Sequence, residues 1–321
     1  MSRGSVAPPP GDRAGGHPRT RGRPVDGSAM RLLRRLLRRG NRSVQPAVPE
    51  PAVRFPVERR SLCLADLDGD GVRALITELD ERADRLGCVV LHDGRPFDHV
   101  VVIFAGNAER YFMLAAARHV RCPVLYLQEP KSYWYRGSDV LPDLTTLCRA
   151  FLVREVGTAH AILFGQSAGA YAALAASTFL PASTVVACAP QTFADGAVKA
   201  RVRFVGIRPQ AAPDDLLDLR DLLASPGDPN SYRAVVIAVS ETDNPVWAHY
   251  WMDYLHALRL ADLPNIALFV VNENSHVIVH SRVNAFARLL GNLCGAIHGP
   301  PPERERVIHD FLTETFDAPR P

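Results

Sequence analysis

The sequence predicts an α/β protein whose mostly parallel, open sheet has about eight strands and helices on both faces. From about residue 60, short apolar runs alternate with longer segments that repeat apolar residues at helical spacing. The runs are nearly continuous, which is typical of parallel strands covered on both faces. A chain of 321 residues, 47% of them hydrophobic, is long enough to bury a large core around such a sheet.

The predicted strands are short apolar runs bounded by residues that favour turns. In chain order they are Leu62–Leu64, Cys88–His92, His99–Phe104, Val124–Gln128, Ala161–Phe164, Thr184–Cys188, Ala234–Val239 and Ile266–Val271.

The predicted helices lie between these strands and have the longer, amphipathic or alanine-rich pattern. In chain order they are Gly71–Leu86, Ala108–His119, Leu141–Val156, Ala168–Phe179, Pro213–Leu223, Val246–Leu260 and Val277–Cys294. One α/β domain over residues 58–298 accounts for all of them, with a small cap at about 191–231. Residues 299–321 are expected to form a short helix and a polar tail.

The N-terminal segment differs from the rest in composition. Residues 1–57 are rich in Pro, Gly and Arg and are expected to be disordered. Residues 1–60 carry a net charge of +10, whereas the remainder carries −7 within the chain total of +3. The leucines and arginines of Met30–Arg39 have helical spacing, which fits either a membrane-surface or nucleic-acid anchor or a solvated tail. We expect the solvated tail, with no nucleic-acid partner.

Cysteine spacing and hydropathy argue against a disulfide-linked, metal-binding, membrane-spanning or secreted protein. The six cysteines are widely spaced and form no C-x-x-C pair, so buried free thiols are expected rather than disulfides or a metal site. No apolar stretch approaches the ~18 residues that span a bilayer. The N-terminus lacks the apolar core of a secretory signal. We therefore expect a cytoplasmic enzyme without stable membrane insertion.

The segment Asp66–Gly71 resembles the start of a calcium-binding loop. The twelfth position of such a loop should be a bidentate Glu, but it is Thr77 here. We interpret the segment as a turn that caps the following helix.

The run Gly165-Gln166-Ser167-Ala168-Gly169 is the strongest indication of chemistry in the chain. It lies between the predicted strand Ala161–Phe164 and an alanine-rich helix, which is the context of a nucleophile elbow. Glycines at both ends allow close backbone approach and strained dihedral angles. Ser167 is therefore the candidate nucleophile, although a serine that merely caps the helix would give a similar pattern.

A serine nucleophile needs a base and an orienting carboxylate, and at such elbows they follow the serine in the order acid, then histidine. Asp243 follows the strand Ala234–Val239, and His276 follows the last strand. We predict Asp243 as the acid, with Glu241 and Asp195 as competitors, and His276 as the base. His249, Asp253 and His256 share one helix; we interpret them as a helix face rather than a metal site.

Two backbone N–H groups are expected to stabilise the oxyanion. One is that of Ala168, which follows the nucleophile. The other belongs to the loop after strand His99–Phe104, at Gly106 or Asn107.

Together, the Gly165–Gly169 elbow, Asp243 and His276 resemble the α/β-hydrolase superfamily over roughly residues 60–295. Trp134–Gly137 and Ala189–Phe193 more loosely resemble uncharacterised bacterial members. The resemblance implies a serine-nucleophile, esterase-like or acyl-transfer activity with no dissociable cofactor. The His-Gly-Gly-Gly loop of many lipases is replaced here by Ala105-Gly106-Asn107.

The sequence says less about the substrate pocket than about the catalytic residues. The loop with Tyr133, Trp134, Tyr135 and Arg136 follows a strand end and is expected to contact substrate, as is Gln166 beside the nucleophile. A structural loop with packed aromatic side chains is an equal alternative.

We therefore predict a serine hydrolase that acts on a small-molecule ester or thioester. An acyltransferase with the same triad and a non-catalytic scaffold of the same fold are the alternatives.

Overall fold

The computed structural model describes residues 54–106, 109–131, 133–180, 182–192, 217–225, 228, 230–238, 249–273 and 276–316. The predictions of a disordered leader and of most of the cap lie outside these residues. In the described part of the chain, no helix is long and apolar enough to cross a membrane.

Eight strands form one sheet in the order β1-β2-β4-β3-β5-β6-β7-β8. They are β1 (Val57–Arg60), β2 (Cys88–Leu91), β3 (His99–Phe104), β4 (Val124–Leu127), β5 (His160–Gln166), β6 (Ser183–Cys188), β7 (Tyr232–Ala238) and β8 (Ile266–Val271). Every neighbouring pair is parallel except β2 and β4. The predicted open, mostly parallel sheet of eight strands is confirmed.

The helices in the described residues are α1 (Gly69–Asp80), α2 (Leu144–Leu147), α3 (Val153–Val156), α4 (Ala168–Ala176), α5 (Leu219–Leu223), α6 (His249–Leu258), α7 (Ile278–Ser281), α8 (Val283–Ala296) and α9 (Pro301–Phe316). Short 3₁₀ helices occupy Leu64–Asp66, Phe112–Ala117 and Tyr133–Tyr135, and a π-helical turn at Cys148–Leu152 joins α2 to α3.

Alternate side chains of the central strands belong to two hydrophobic cores, one on each face of the sheet. Along β3, Val100 and Phe104 belong to one core, whereas Val101 and Ile103 belong to the other. Helix α4 packs in the first core with every residue buried. This burial explains its alanine-rich sequence, because small side chains let the helix lie close to the sheet.

The sequence analysis predicts the first strand at the wrong residues, Leu62–Leu64. It is Val57–Arg60, whereas Leu64 lies in a 3₁₀ helix and is buried. The prediction followed hydrophobicity, but this edge strand is stabilised by charge: Arg60 donates to Glu58 at 2.6 Å and to Glu78 at 2.8 Å. Edge strands often carry charged side chains, which hide them from a search for apolar runs.

Asp68 caps helix α1, as the sequence predicted for this segment. Its carboxylate accepts a hydrogen bond from the Gly71 N–H at 2.7 Å, which satisfies one of the free N–H groups in the first turn.

The C-terminal segment is more than a short helix with a polar tail. Helix α9 has 16 residues, and its Phe311 and Phe316 lie 5.1 and 6.5 Å from the ring of Phe286 on α8. Arg304 of the same helix is buried and donates to the Asn230 carbonyl at 2.6 Å. The helix is therefore part of the folded core.

Candidate active site

Ser167 lies at the sharp turn between strand β5 and helix α4. Its φ is +56° and its ψ is −119°, a conformation that non-glycine residues rarely adopt. The turn is held by the Ser167 N–H, which donates to the Cys188 carbonyl on β6 at 2.9 Å. Strained backbone of this kind occurs at nucleophile elbows, where it exposes the serine hydroxyl.

The two glycines of the elbow are required by close backbone packing. A Cβ at Gly165 would overlap the backbone of Gly169, and a Cβ at Gly169 would overlap the carbonyl group of Phe104 on β3. These obstacles are backbone atoms, which cannot rotate away as a side chain can. The spacing of glycines around the serine therefore has the steric cause expected from the sequence.

His276 lies on the segment between β8 and α7 and reaches the nucleophile candidate. Its Nε2 is 3.0 Å from Ser167 Oγ, although 109 residues separate the two in sequence. A ring protonated on Nδ1 can accept the hydroxyl proton of Ser167 at Nε2.

Asp253 of helix α6 faces the other side of the same imidazole. Its Oδ2 lies 2.7 Å from His276 Nδ1, and only 2% of the residue is exposed. If the ring carries its proton on Nδ1, that N–H donates to Asp253. The predicted acid, Asp243, and its competitors Glu241 and Asp195 lie outside the described residues.

The interpretation of Asp253 as part of an ordinary helix face was therefore incomplete. The sequence signal that could have found it is a carboxylate on the buried face of a helix, four residues before the buried Ala257. A buried carboxylate needs a partner that offsets its desolvation. His256, on the same face, has a different role: its Nδ1 accepts from the Thr192 N–H at 3.0 Å.

Electrostatics favour the protonated form of His276. Burial opposes its positive charge, but the attraction and hydrogen bond of Asp253, helped by the charge of Glu109, outweigh burial and raise the pKa of His276. An imidazole with a raised pKa is a stronger base for the serine proton. The same carboxylate stabilises the imidazolium that forms when that proton is transferred.

The predicted oxyanion donors have different surroundings. Ala168 is the first residue of α4, where N–H groups have no acceptor within the helix. The Gly106 N–H instead donates to the Glu109 carboxylate. In this conformation the Gly106 N–H is therefore occupied, and it would have to leave Glu109 before it could donate to an oxyanion. Asn107 lies outside the described residues.

Glu109 is a buried residue that sequence reasoning missed. Besides Gly106, its carboxylate accepts from Gln166 Nε2 and lies 3.3 Å from His280 Nε2. A carboxylate five residues beyond a strand end, in the loop that also carries Gly106, was the available signal. Glu109 ties the loop after β3 to the elbow.

Gln166, which the sequence predicts as a substrate contact, is engaged by the protein itself. It is fully buried, its Nε2 donates to Glu109, and its Oε1 accepts from the Val279 N–H at 2.7 Å. Both ends of the amide are thus bonded to protein, and the side chain fixes the segment after His276 against the elbow.

The aromatic loop has mainly a structural role in the described residues. Trp134 is buried and its indole N–H donates to Gln191. Tyr135 is buried with its hydroxyl 2.9 Å from the carbonyl oxygens of both Ala105 and Leu127. Burial and these hydrogen bonds favour the structural-loop alternative for the two side chains. Arg136 is exposed. The Tyr133 side chain lies outside the described set.

Comparison with known families and with curated proteins finds no match. Among solved structures, the chain is similar to MenH from S. aureus, with 13% identity and a TM-score of 0.44 over 66% of this chain and 99% of that one. Est1E from Butyrivibrio proteoclasticus is similar at 12% identity and a TM-score of 0.42, over 64% of this chain and 90% of that one. Carboxyl esterase 2 from the fungus Tuber melanosporum is similar at 14% identity and a TM-score of 0.41, over 64% of this chain and 78% of that one. Similarities this distant carry no argument about function.

Proposed function

We propose that this α/β-hydrolase-fold protein is a serine hydrolase that cleaves a carboxylic ester or thioester through an acyl-enzyme on Ser167. One observation carries the proposal. Asp253 Oδ2, the two ring nitrogens of His276 and Ser167 Oγ form a continuous hydrogen-bonded path, with links of 2.7 and 3.0 Å. Such a path activates a serine hydroxyl, which is otherwise a poor nucleophile at neutral pH.

In the first half-reaction, Ser167 Oγ attacks the substrate carbonyl carbon while its proton passes to His276 Nε2. Asp253 holds the ring by its Nδ1–H and balances the new positive charge. The carbonyl oxygen becomes an oxyanion, to which the Ala168 N–H donates. As the tetrahedral intermediate collapses, Nε2 returns the proton to the leaving alcohol or thiol, and the acyl group stays on Ser167.

In the second half-reaction, a water molecule gives a proton to His276 Nε2 and attacks the acyl carbon. Collapse of this second intermediate releases the carboxylic acid and returns the proton to Ser167 Oγ. An alcohol or amine in place of water would make the same machinery an acyltransferase.

The orienting role is assigned to Asp253 rather than Asp243. The assignment is supported by the short Asp253–His276 contact and by the burial of the Asp253 carboxylate, which excludes competing water. The second oxyanion donor is assigned to the backbone of Asn107, because the Gly106 N–H is engaged by Glu109. Gln166 and Glu109 act as positioning residues.

The first test is labelling of the purified full chain with a fluorophosphonate probe, followed by peptide mapping. We expect a phosphonyl adduct on Ser167, with loss of fluoride, that disappears in Ser167→Ala. Ser281→Ala is a matched control, because Ser281 is an exposed serine on α7. We expect this variant to be labelled like the wild type.

Turnover is then measured on a panel of acyl esters and thioesters. Activity that requires Ser167 and His276 supports the proposal and identifies the acyl group. A folded protein that neither labels nor turns over any substrate would contradict it and favour the scaffold alternative. Activity that survives Ser167→Ala would show that another group carries the reaction.

A further inference from the structure

A second cluster of reactive side chains lies at the opposite end of the sheet from Ser167. The imidazole of His99 and the thiols of Cys122 and Cys294 place one ligand atom each within 4.8 Å of one another. His99 begins β3, whereas the candidate active site is near the other end of that strand. Five residues of strand separate the ends by about 17 Å, so the two sites are independent.

The register of the sheet explains why these residues meet. Val101 of β3 pairs with Val124 of β4, and the two strands are parallel. His99 and Cys122 each precede the paired residue by two positions and therefore lie side by side. Cys294 comes from helix α8, which packs over the same core. Three separate elements thus contribute one side chain each, which explains why sequence spacing predicted no metal site.

The orientation of His99 suits metal binding. Its Nδ1 lies 2.6 Å from the Asp98 carboxylate, which leaves Nε2 as the nitrogen available to the sulfur atoms. Histidines that bind metals almost always donate their other ring N–H to a carboxylate or carbonyl, and this contact fixes the tautomer. The second carboxylate oxygen of Asp98 lies 3.2 Å from His298 Nε2.

The surroundings of Cys122 and Cys294 differ from those of three other described cysteines. Cys88, Cys148 and Cys188 are buried in apolar surroundings that raise the pKa of their thiols. By contrast, Cys122 and Cys294 are only partly buried, and each has the other thiol and the His99 imidazole within 4.8 Å. A thiolate is the form that binds a metal.

The cluster is accessible. It lines a surface cavity of about 340 Å³ that also contains Arg95, His119 and Arg121. Arg95 is paired with Asp66 at 3.0 Å and with Asp93 at 2.7 Å, and Arg121 lies 3.4 Å from Asp66. The two arginine charges are thus partly balanced, and the cavity leaves room for an ion to enter with a water molecule as its fourth ligand.

We propose that Cys122, Cys294 and His99 form a binding site for a thiophilic divalent cation, of which Zn²⁺ is the best match. Two sulfur ligands and one imidazole are a zinc donor set, and a fourth position open to solvent completes a tetrahedron. Two thiolates balance the charge of the cation. Binding releases to solvent the proton of each thiol that is still neutral.

The test uses Co²⁺ as a spectroscopic substitute for Zn²⁺. The reduced full-length protein is treated with a chelator, freed of it, and titrated with Co²⁺ under anaerobic conditions. We expect one equivalent to bind with an intense sulfur-to-cobalt charge-transfer band, and Zn²⁺ to displace it. Absence of this band in protein with confirmed free thiols would overturn the proposal.

Four variants locate the site. Cys122→Ser and Cys294→Ser should each abolish or strongly weaken the band, and Asp98→Asn should weaken binding by about 10- to 100-fold without changing its stoichiometry. Cys148→Ala, which removes a buried thiol outside the cluster, should bind as the wild type does. Circular dichroism confirms that each variant is folded. A band that persists in both serine variants would overturn the assignment.

A Cys122–Cys294 disulfide is the competing explanation for two adjacent thiols. Mass spectrometry of protein purified without reductant detects it. Reduced protein that binds no Co²⁺, but readily forms this disulfide in air, would replace the metal site with a redox pair. Because fluorophosphonate labelling of Ser167 does not involve this cluster, failure of one proposal is distinguishable from failure of the other.

Discussion

Asp253 Oδ2 and His276 Nδ1 lie 2.7 Å apart, although the aspartate belongs to helix α6 and the histidine follows strand β8. The strand between them carries the chain from the helix to the carboxyl end of the sheet. The contact is therefore made by the packing of α6 against the sheet, and it brings a buried carboxylate to the imidazole.

The first prediction concerns this contact. Asp253→Asn should lower kcat by about 10³- to 10⁴-fold, because an amide cannot hold the imidazole in the required tautomer or balance its charge. Steady-state kinetics on an ester identified by the substrate panel measure the loss. Asp243→Asn, tested alongside, should have little effect; the reverse result would restore Asp243 as the acid.

The second prediction concerns pH. Because Asp253 and Glu109 raise the pKa of His276 against the effect of burial, the acid limb of kcat/KM should lie above pH 6.5, the ordinary histidine value. Activity falls as pH decreases through this pKa, because a protonated imidazole cannot accept the serine proton. The rate of fluorophosphonate labelling reports the same titration. In Asp253→Asn the limb should move to lower pH; an unchanged limb would assign the titration to another group.

The third prediction concerns the glycines of the elbow. Gly169→Ala should unfold or severely destabilise the protein, since its Cβ would overlap the Phe104 carbonyl and neither backbone can yield without separating α4 from β3. Gly295→Ala is the matched control. Gly295 lies on helix α8, and a Cβ added there would meet no atom within 4 Å. We therefore expect this substitution to stabilise the folded protein by about 0.5–1 kcal/mol. Urea denaturation measures both; equal effects would refute the steric argument.

The fourth prediction concerns acid stability. Burial, aided by Arg259, lowers the pKa of His256 to about 3. Below about pH 6.5 the unfolded chain therefore binds a proton at His256, whereas the folded chain does not until the pH approaches 3. The free energy of unfolding consequently decreases as pH falls from 6.5 toward 3. In urea denaturation, the stability of His256→Gln should depend less on pH over this range. His309→Gln, at a partly exposed position, should retain the wild-type slope.

The sequence by itself determined the features that local interactions produce. Apolar runs bounded by turn residues located β3 and β8 with their observed ends. For the central strand β3, the reason is that a strand covered on both faces must be apolar along its length. The Gly165–Gly169 run placed Ser167 on a strand–helix turn, since only glycine fits where β5, α4 and β3 approach closely. His276 was singled out as the residue that follows the last strand.

Tertiary structure alone decided which groups complete the candidate site. Any carboxylate within hydrogen-bond reach can orient an imidazole, so the choice of Asp253 depends on how helix α6 packs rather than on a motif. Glu109 similarly engages Gln166 because two chain segments, 57 residues apart, meet in the core. Cys122 and Cys294 adjoin His99 through the register of β3 and β4 and the position of α8. Short-range patterns reveal strands and turns, whereas contacts between distant segments follow only from the packed fold.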